Sequence, residues 1–265
     1  MRNNKYKILV LSDLKGSTES TLKNAISLSK MINADIEFFY VKKLTDIIER
    51  ESQLSAMRTI NKEHLETEKK IKNIIESISK KYEVKVKSSF AFGNVKSEIK
   101  DYLNVSKPDI IVLGKRKSKP ISFIGDNITD HVLNSHSGTV MIASKENGLE
   151  PEKQLALGLF NNVNELFNLN FIDDLVGQTN EPLRSFSIEK ESNKRKKVNS
   201  TDHKMIDYVF ERNDNAFNTL SNYLEKNKVN LLCVNRGGNT RKNTILKSEI
   251  KDVVNKTNVS VFLTN

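Results

Sequence analysis

The stretch that decides the fold is Ile8-Leu9-Val10-Leu11-Ser12-Asp13, a continuous apolar run that ends in two polar residues. A run of this kind is typical of a strand that is buried on both faces of a parallel sheet. Residues 22–32 then carry apolar side chains at helical spacing, and residues 36–41 form a second apolar run. Because strand, helix and strand follow one another, the sequence predicts a parallel crossover.

The same alternation continues to residue 143 and completes one sheet. The remaining strands are predicted at residues 84–92, 110–113 and 139–143. The helices are predicted at 44–78, after Gly93-Asn94 with apolar residues at 99–103, and near 127–133. The strand at 84–92 alternates apolar and polar residues, which favours a place near the edge of the sheet. Five strands with intervening helices predict a doubly wound, Rossmann-like domain.

A weaker copy of this pattern follows the polar linker at residues 146–151. Its strands are predicted at residues 155–160, 186–188, 205–210, 229–234 and 259–263, and its helices at 163–175, 216–224 and 250–254. The polar and basic residues 191–204 show no recognisable long helix where the first copy has one. The fold class is therefore α/β, with two tandem doubly wound parallel five-stranded sheets in domains 1–145 and 152–265, the second domain being the shorter.

Composition excludes several classes of protein. The chain has 43 basic and 33 acidic residues and a net charge of +10, but the charges are mostly interspersed, as on a solvated surface. Its one cysteine, Cys233, excludes a disulfide framework and a cysteine-based metal site within one chain. The N-terminus lacks the apolar length of a signal peptide, and no run approaches the ~20 apolar residues of a membrane span. We expect a cytoplasmic protein that binds no membrane.

A ligand site is expected at the carboxyl ends of the first and fourth strands. In a doubly wound sheet, ligands bind in the crevice where the strand order reverses. Asp13 and Gly114 end the two strands that flank this crevice. The next helix begins near Gly125, and its free backbone N–H groups would suit an anion. A nucleotide is therefore expected to lie across this edge.

At this point the chain resembles the universal stress protein family. The first strand, the segment Pro108-Asp109-Ile110-Ile111-Val112-Leu113-Gly114 and the closing Gly138-Thr139-Val140-Met141-Ile142 carry the resemblance. Members that bind ATP use an acidic residue after strand one for adenine, and a Gly-x-x-Gly-x₉-Gly-Ser/Thr loop for ribose and phosphates. Asp13 matches the acidic residue and Gly114 matches the first glycine. The resemblance thus implies ATP as the ligand of the first domain.

The chain departs from this motif in both halves. Lys117 occupies the second glycine slot and Asn127 the third; a register shifted by two residues recovers Gly125 but puts Asp126 in the hydroxyl slot. A carboxylate there would repel phosphate and would favour the helix N-terminus. Any ATP binding is therefore expected to be weak and confined to the first half. Positive charge for the phosphates would come from Lys115, Arg116, Lys117 and Lys119.

The second half departs further. Asn161-Asn162 follows its first strand in place of an acidic residue, and Asn235 takes the first glycine slot. Gly238 keeps the second slot, and Ser248-Glu249 replaces the Gly-Ser/Thr pair. We expect no nucleotide there.

The leading interpretation is a non-catalytic sensor or adaptor in stress physiology. The resemblance implies that the two halves pair as an internal pseudo-dimer through their last strands, and that chains pair again as a homodimer. One alternative is an ATP-binding member with slow ATP hydrolysis. Another is a basic nucleic-acid-binding protein, suggested by the run Lys194-Arg195-Lys196-Lys197. No aromatic residues interleave this run, so a solvated loop is favoured and no nucleic-acid partner is expected.

Overall fold

The computed structural model of the chain describes residues 5–43, 53–116, 128–161, 171–179, 182–189, 204–236 and 244–264, with only the backbone for residues 53–56 and 244–247. The first half contains β1 (Tyr6–Ser12), α1 (Thr18–Ile32), β2 (Ala34–Lys42), α2 (Gln53–Tyr82), β3 (Val86–Phe92), α3 (Val95–Ser106), β4 (Ile110–Gly114), α4 (Ile128–Ser135) and β5 (Thr139–Ala143). The second contains β6 (Leu157–Phe160), α5 (Ile172–Val176), β7 (Leu183–Glu189), β8 (Met205–Glu211), α6 (Ala216–Lys226), β9 (Leu231–Asn235), α7 (Thr244–Lys256) and β10 (Ser260–Thr264).

Each half builds five parallel strands in the same order. The first half runs β3-β2-β1-β4-β5, and the second, read from its outer edge, runs β8-β7-β6-β9-β10. The predicted doubly wound α/β fold is confirmed in both copies, and β3 lies at an outer edge as its alternating sequence predicts. Residues 44–52, 163–170 and 191–203, which carry other parts of the predicted pattern, lie outside the described residues.

The two five-stranded sets are joined edge to edge. β5 and β10 pair antiparallel, with Met141 opposite Phe262, so that one sheet of ten strands results. The sequence pattern predicts two five-stranded sheets, and the structure joins them through their last strands. An open strand edge exposes unpaired backbone N–H and C=O groups, and each last strand removes that exposure from the other.

The core consists of two apolar layers, one on each face of this sheet, and both layers extend across the two halves. α1, α2 and α5 cover one face, and α3, α4, α6 and α7 cover the other. Alternate residues of β1 divide between the layers, since Ile8 and Val10 join the first and Leu9 and Leu11 the second. The continuous apolar runs of the sequence are thus explained by burial on both faces.

Two cations reach from one half to the other. Arg236, which follows β9, is buried and donates from Nη1 to the carbonyl of Leu133 at 3.1 Å and from Nη2 to the carbonyl of Gly138. Burial lowers the pKa of Arg236 to about 10. Lys115, which follows β4, donates from Nζ to the carbonyl of Thr257. The carbonyls of Leu133 and Thr257 lie at the C-terminal end of the last helix of the opposite half, where positive charge is stabilising.

A buried amide holds the segment that connects the halves. Asn24 of α1 donates from Nδ2 to the carbonyl of Ser144 at 3.2 Å, and its Oδ1 accepts from Leu149 N at 2.7 Å and from Ser260 Oγ at 2.7 Å. A side chain at Gly148 would enter this arrangement. Its Cβ would lie 2.6 Å from both the Asn24 amide and the Ser144 carbonyl oxygen.

We therefore expect Gly148→Ala to lower the free energy of unfolding by about 1–3 kcal/mol, the usual cost of overpacking a filled site. Urea unfolding followed by circular dichroism measures this loss. Gly16→Ala is the matched control, because nothing lies within 4 Å of a Cβ at that position. Equal stability of the two variants would show that the Ser144–Gly148 segment moves aside freely.

Candidate functional site

The cleft described here opens at the carboxyl ends of β1 and β4, where the strand order reverses. β1 pairs with β2 on one side and with β4 on the other, which places the reversal where the sequence predicts it. The cleft has a volume of about 590 Å³ and is lined by the ends of β1, β2 and β4 and the first turns of α1, α3 and α4. Small-molecule sites in proteins span roughly 300–1,000 Å³, so this space suits a mononucleotide.

Asp13 and Arg116, both predicted as site residues, line the cleft and form an ion pair. Asp13 Oδ2 lies 2.8 Å from Arg116 Nη2, and Oδ1 accepts a hydrogen bond from Lys15 N at 3.1 Å. The sequence predicted that Arg116 would neutralise phosphate; in the structure its guanidinium neutralises Asp13. Each carboxylate oxygen can accept a second hydrogen bond, so Asp13 keeps acceptor capacity for a ligand.

Gly114 lines the cleft at the end of β4, as predicted, but its closest neighbours belong to the protein. A Cβ there would lie 2.6 Å from Thr21 Oγ1 and 3.1 Å from Ser17 Oγ. The absence of a side chain therefore lets the first turns of α1 approach β4. This packing is a reason for glycine at the strand end that does not depend on a ligand.

The loop between β1 and α1 is fixed by its own hydroxyl groups. Ser12 Oγ and Thr18 Oγ1 lie 2.8 Å apart, and Thr18 Oγ1 donates to the carbonyl of Lys15 at 2.8 Å. Ser12 Oγ also accepts from Leu14 N at 3.2 Å, and Leu14 holds a left-handed φ of 56°. One wall of the cleft is thus set by local hydrogen bonds before any ligand arrives.

Sequence reasoning missed the contribution of α3 to the cleft. Asn94 caps this helix, because its side chain accepts from Lys96 N and Ser97 N, and Asn94, Val95 and Lys96 line the cleft. The signal was present, since Gly93-Asn94 directly before a helix is a typical N-terminal cap. Lys43, after β2, is a second lining residue that the motif comparison did not reach.

Four further predicted site residues, Lys117, Gly125, Asp126 and Asn127, lie outside the described residues, as does Lys119. The structure begins again at Ile128, which lines the cleft together with Thr129. Lys115, predicted to help with phosphate, binds the carbonyl of Thr257 in the second half. Its neighbour Arg116 lies at the cleft, and a role of Lys115 toward phosphate stays a prediction. The phosphate loop itself stays a prediction.

In the second half, the corresponding strand ends carry an ion pair of their own. Glu249 of α7 pairs with Arg212, which follows β8, and also accepts from Asn161 Nδ2 at 3.2 Å. The Glu249 side chain is only 12% exposed. The carboxylate that the sequence placed in a phosphate slot is thus held by protein side chains.

Other reactive side chains do not form a second site in the described ranges. Among these residues no three His, Cys, Asp or Glu side chains converge as they would around a metal ion. Cys233 is fully buried in the core, and burial raises the pKa of its thiol to about 12. A search of the described helices found none with the length and hydropathy of a membrane span. The basic run at residues 194–197 lies outside the described residues.

Comparisons with known proteins agree with this fold. A family model described as the universal stress protein family matches residues 6–144. The chain is similar to the structure of a universal stress protein from Archaeoglobus fulgidus DSM 4304, with a TM-score of 0.71 and 14% identity over 99% of this chain and 97% of that one. It is also similar to a functionally unknown protein from Pseudomonas aeruginosa PAO1, with a TM-score of 0.55 and 12% identity over 98% and 92%.

At these identities the structural similarity shows the fold, and function has to be argued from the site. A search of curated protein sequences gave no significant match.

Proposed function

Since the chain belongs to the universal stress protein family, we propose that it acts by binding an adenine nucleotide in the cleft of its first half, as a sensor or adaptor without catalytic turnover. The observation that carries the proposal is the cleft itself. Asp13 follows β1 beside the strand reversal, in a space that suits a mononucleotide, and the described lining of that space also carries four basic residues.

The charges of the described lining residues favour an anionic ligand. The described lining includes four basic residues, Lys15, Lys43, Lys96 and Arg116, and one carboxylate, Asp13. A concave surface with one dominant sign of charge raises the local concentration of oppositely charged ligands. The predicted phosphate loop, with the carboxylate of Asp126 at its end, is the reason to expect modest affinity.

The proposal confines the nucleotide to the first half. The second half places Glu249 and Arg212 against each other at its strand ends, and a phosphate would have to displace that pair. We propose further that the halves work as one internal pseudo-dimer, because β5 and β10 occupy each other's edges. In a homodimer, a second copy would have to use another surface.

We expect Asp13→Ala to reduce the preference for ATP over UTP by about tenfold, because a hydrogen bond to a charged group is worth about 1.5–3 kcal/mol. The two nucleotides carry the same phosphates, so their affinity ratio isolates recognition of the base from the change in charge. Calorimetric titration of both nucleotides into both proteins gives the ratio. Asp174→Ala is the matched control, because Asp174 lies on α5 and pairs with Lys5, away from the cleft.

An unchanged ratio in Asp13→Ala would contradict base recognition by this carboxylate, and no heat with either nucleotide would contradict the proposed ligand. Release of inorganic phosphate from bound ATP tests the non-catalytic role separately. Sustained release by the wild type that Asp13→Ala abolishes would instead favour the slow ATP-hydrolysing alternative.

A further inference from the structure

A histidine ring lies beside the buried cation that connects the two halves. His136 follows α4 and packs over Gly138, where a Cβ would collide with its Nε2 atom. Arg236 reaches the same backbone from the second half, since its Nη2 donates to the carbonyl of Gly138 and to that of His136 at 3.4 Å. We propose that His136 makes this contact between the halves sensitive to acid, because a protonated ring would place a second cation beside Arg236.

The first argument concerns the ring nitrogen that faces Gly138. His136 Nε2 is buried and has no hydrogen-bond partner among the described residues. A neutral imidazole has one donor and one acceptor nitrogen, whereas both nitrogens of the protonated ring are donors. Protonation therefore makes Nε2 a charged donor in a buried place without an acceptor, and an unpaired buried donor costs more when it is charged.

The second argument concerns the charges around the ring. Burial, followed by the positive charge of Arg236, lowers the pKa of His136 below its ordinary value of 6.5. Two carboxylates belong to the neighbouring segments, Asp130 on α4 and Asp109 before β4, and neither offsets this lowering. The Asp109 carboxylate accepts a hydrogen bond from Lys7 N at 2.8 Å. The neutral ring is thus the form that the folded protein favours.

The C-terminal end of α4 acts in the opposite direction, because the last carbonyls of a helix stabilise a nearby cation. Arg236 already occupies this position, since it donates to the carbonyl of Leu133 at 3.1 Å as well as to that of His136. A second cation at the same carbonyls therefore gains little attraction and is repelled by the guanidinium.

The sign of the effect on stability follows from the lowered pKa. The unfolded chain takes up a proton at His136 near pH 6.5, and the folded protein does so only at lower pH. Stability is therefore unaffected above this pH and falls as the pH decreases below it. If the ring stays neutral in the folded protein, the folding equilibrium constant at pH 5.5 falls by up to about tenfold.

The test is urea unfolding of the full chain at pH 7.5 and at pH 5.5, in the wild type and in His136→Gln. Between these pH values, the folding equilibrium constant should fall by up to about tenfold more in the wild type than in the variant. Because the change is measured within each protein, the fixed effect of the substitution cancels. His64→Gln is the matched control and should keep the wild-type pH dependence, since His64 is exposed on α2 and contacts Phe90 and Phe92 of β3.

Variants of Arg236 connect the effect to the contact between the halves. In Arg236→Met, the further substitution His136→Gln should remove a smaller pH effect, because burial still acts on the ring but the second cation is absent. Arg236→Lys keeps the charge on a side chain with fewer donors; it should give an intermediate effect, and it serves alone if Arg236→Met does not fold at pH 7.5. Equal pH dependence of the wild type and His136→Gln overturns the inference. So does an effect of His136 that the Arg236 variants leave unchanged, since burial alone would then explain it.

Discussion

Phe262→Ala should lower the free energy of unfolding by about 3–5 kcal/mol, the usual cost of emptying a buried aromatic site. Phe262 is fully buried in β10, opposite Met141 of β5. The rings of Phe262 and Phe171 pack in a T-shaped arrangement, with their centroids 5.2 Å apart. Phe171 packs in the same way against Tyr6 of the first half, with a centroid separation of 6.0 Å. Both halves should lose stability, because the apolar layer to which these residues belong extends across the joint between β5 and β10.

Urea unfolding of Phe262→Ala should therefore show a single transition, with its midpoint at a lower urea concentration than in the wild type. Val209→Ala is a suitable control, because Val209 on β8 is 59% exposed and its truncation should change stability by about 0.5 kcal/mol or less. Two separated transitions, of which only the second-half one moves, would show that the halves unfold independently despite their shared layers.

Among substitutions of polar residues, we expect Arg236→Met to have the largest effect on stability. It should lower the free energy of unfolding by about 3 kcal/mol. The substitution removes the donors for the carbonyls of Leu133 and Gly138 at the end of α4 and start of β5. Leaving a buried acceptor unpaired costs about 1–3 kcal/mol for each carbonyl. Part of this sum is offset because the variant no longer has to bury a charged guanidinium. Methionine fills similar space, so the loss reports on the hydrogen bonds and the charge.

Lys115→Met is the paired measurement, because Lys115 occupies the same place after β4 and donates to the carbonyl of Thr257. Its side chain is only partly buried, so a loss of about 1 kcal/mol is expected. If Arg236→Met lowers the free energy of unfolding no more than Lys115→Met does, water must replace the guanidinium at the carbonyls of Leu133 and Gly138.

Several features of the fold were accessible from sequence because they rest on local patterns. The apolar runs at Ile8 and Ile110 predicted strands buried on both faces, and the pairing of β1 with β4 placed the crevice correctly. The joint between β5 and β10 has no local signal in the residues. It appears only as two apolar last strands, and the resemblance to a family was needed to suggest that they pair.

The contacts between side chains at the site were harder to predict from the sequence. Asp13 and Arg116 were both expected at the cleft, but their mutual ion pair depends on the path of the chain after β4. The same path sends Lys115 toward the second half, although it is the immediate neighbour of Arg116. Residue types and spacing do not determine which of two adjacent cations faces a ligand, because that choice follows from tertiary packing.

The pairing of β5 with β10 inside one chain also changes how the two halves depend on concentration. An assembly of two separate chains dissociates on dilution, whereas tethered partners meet at an effective concentration that dilution does not alter. Two halves of one chain also do not need to have the same sequence. A residue such as Glu249 or Arg212 is present in one half alone. In a symmetric pair of identical chains, any substitution would change both partners at once. Covalent linkage thus allows one half to specialise in structure while the other keeps Asp13 and its cleft.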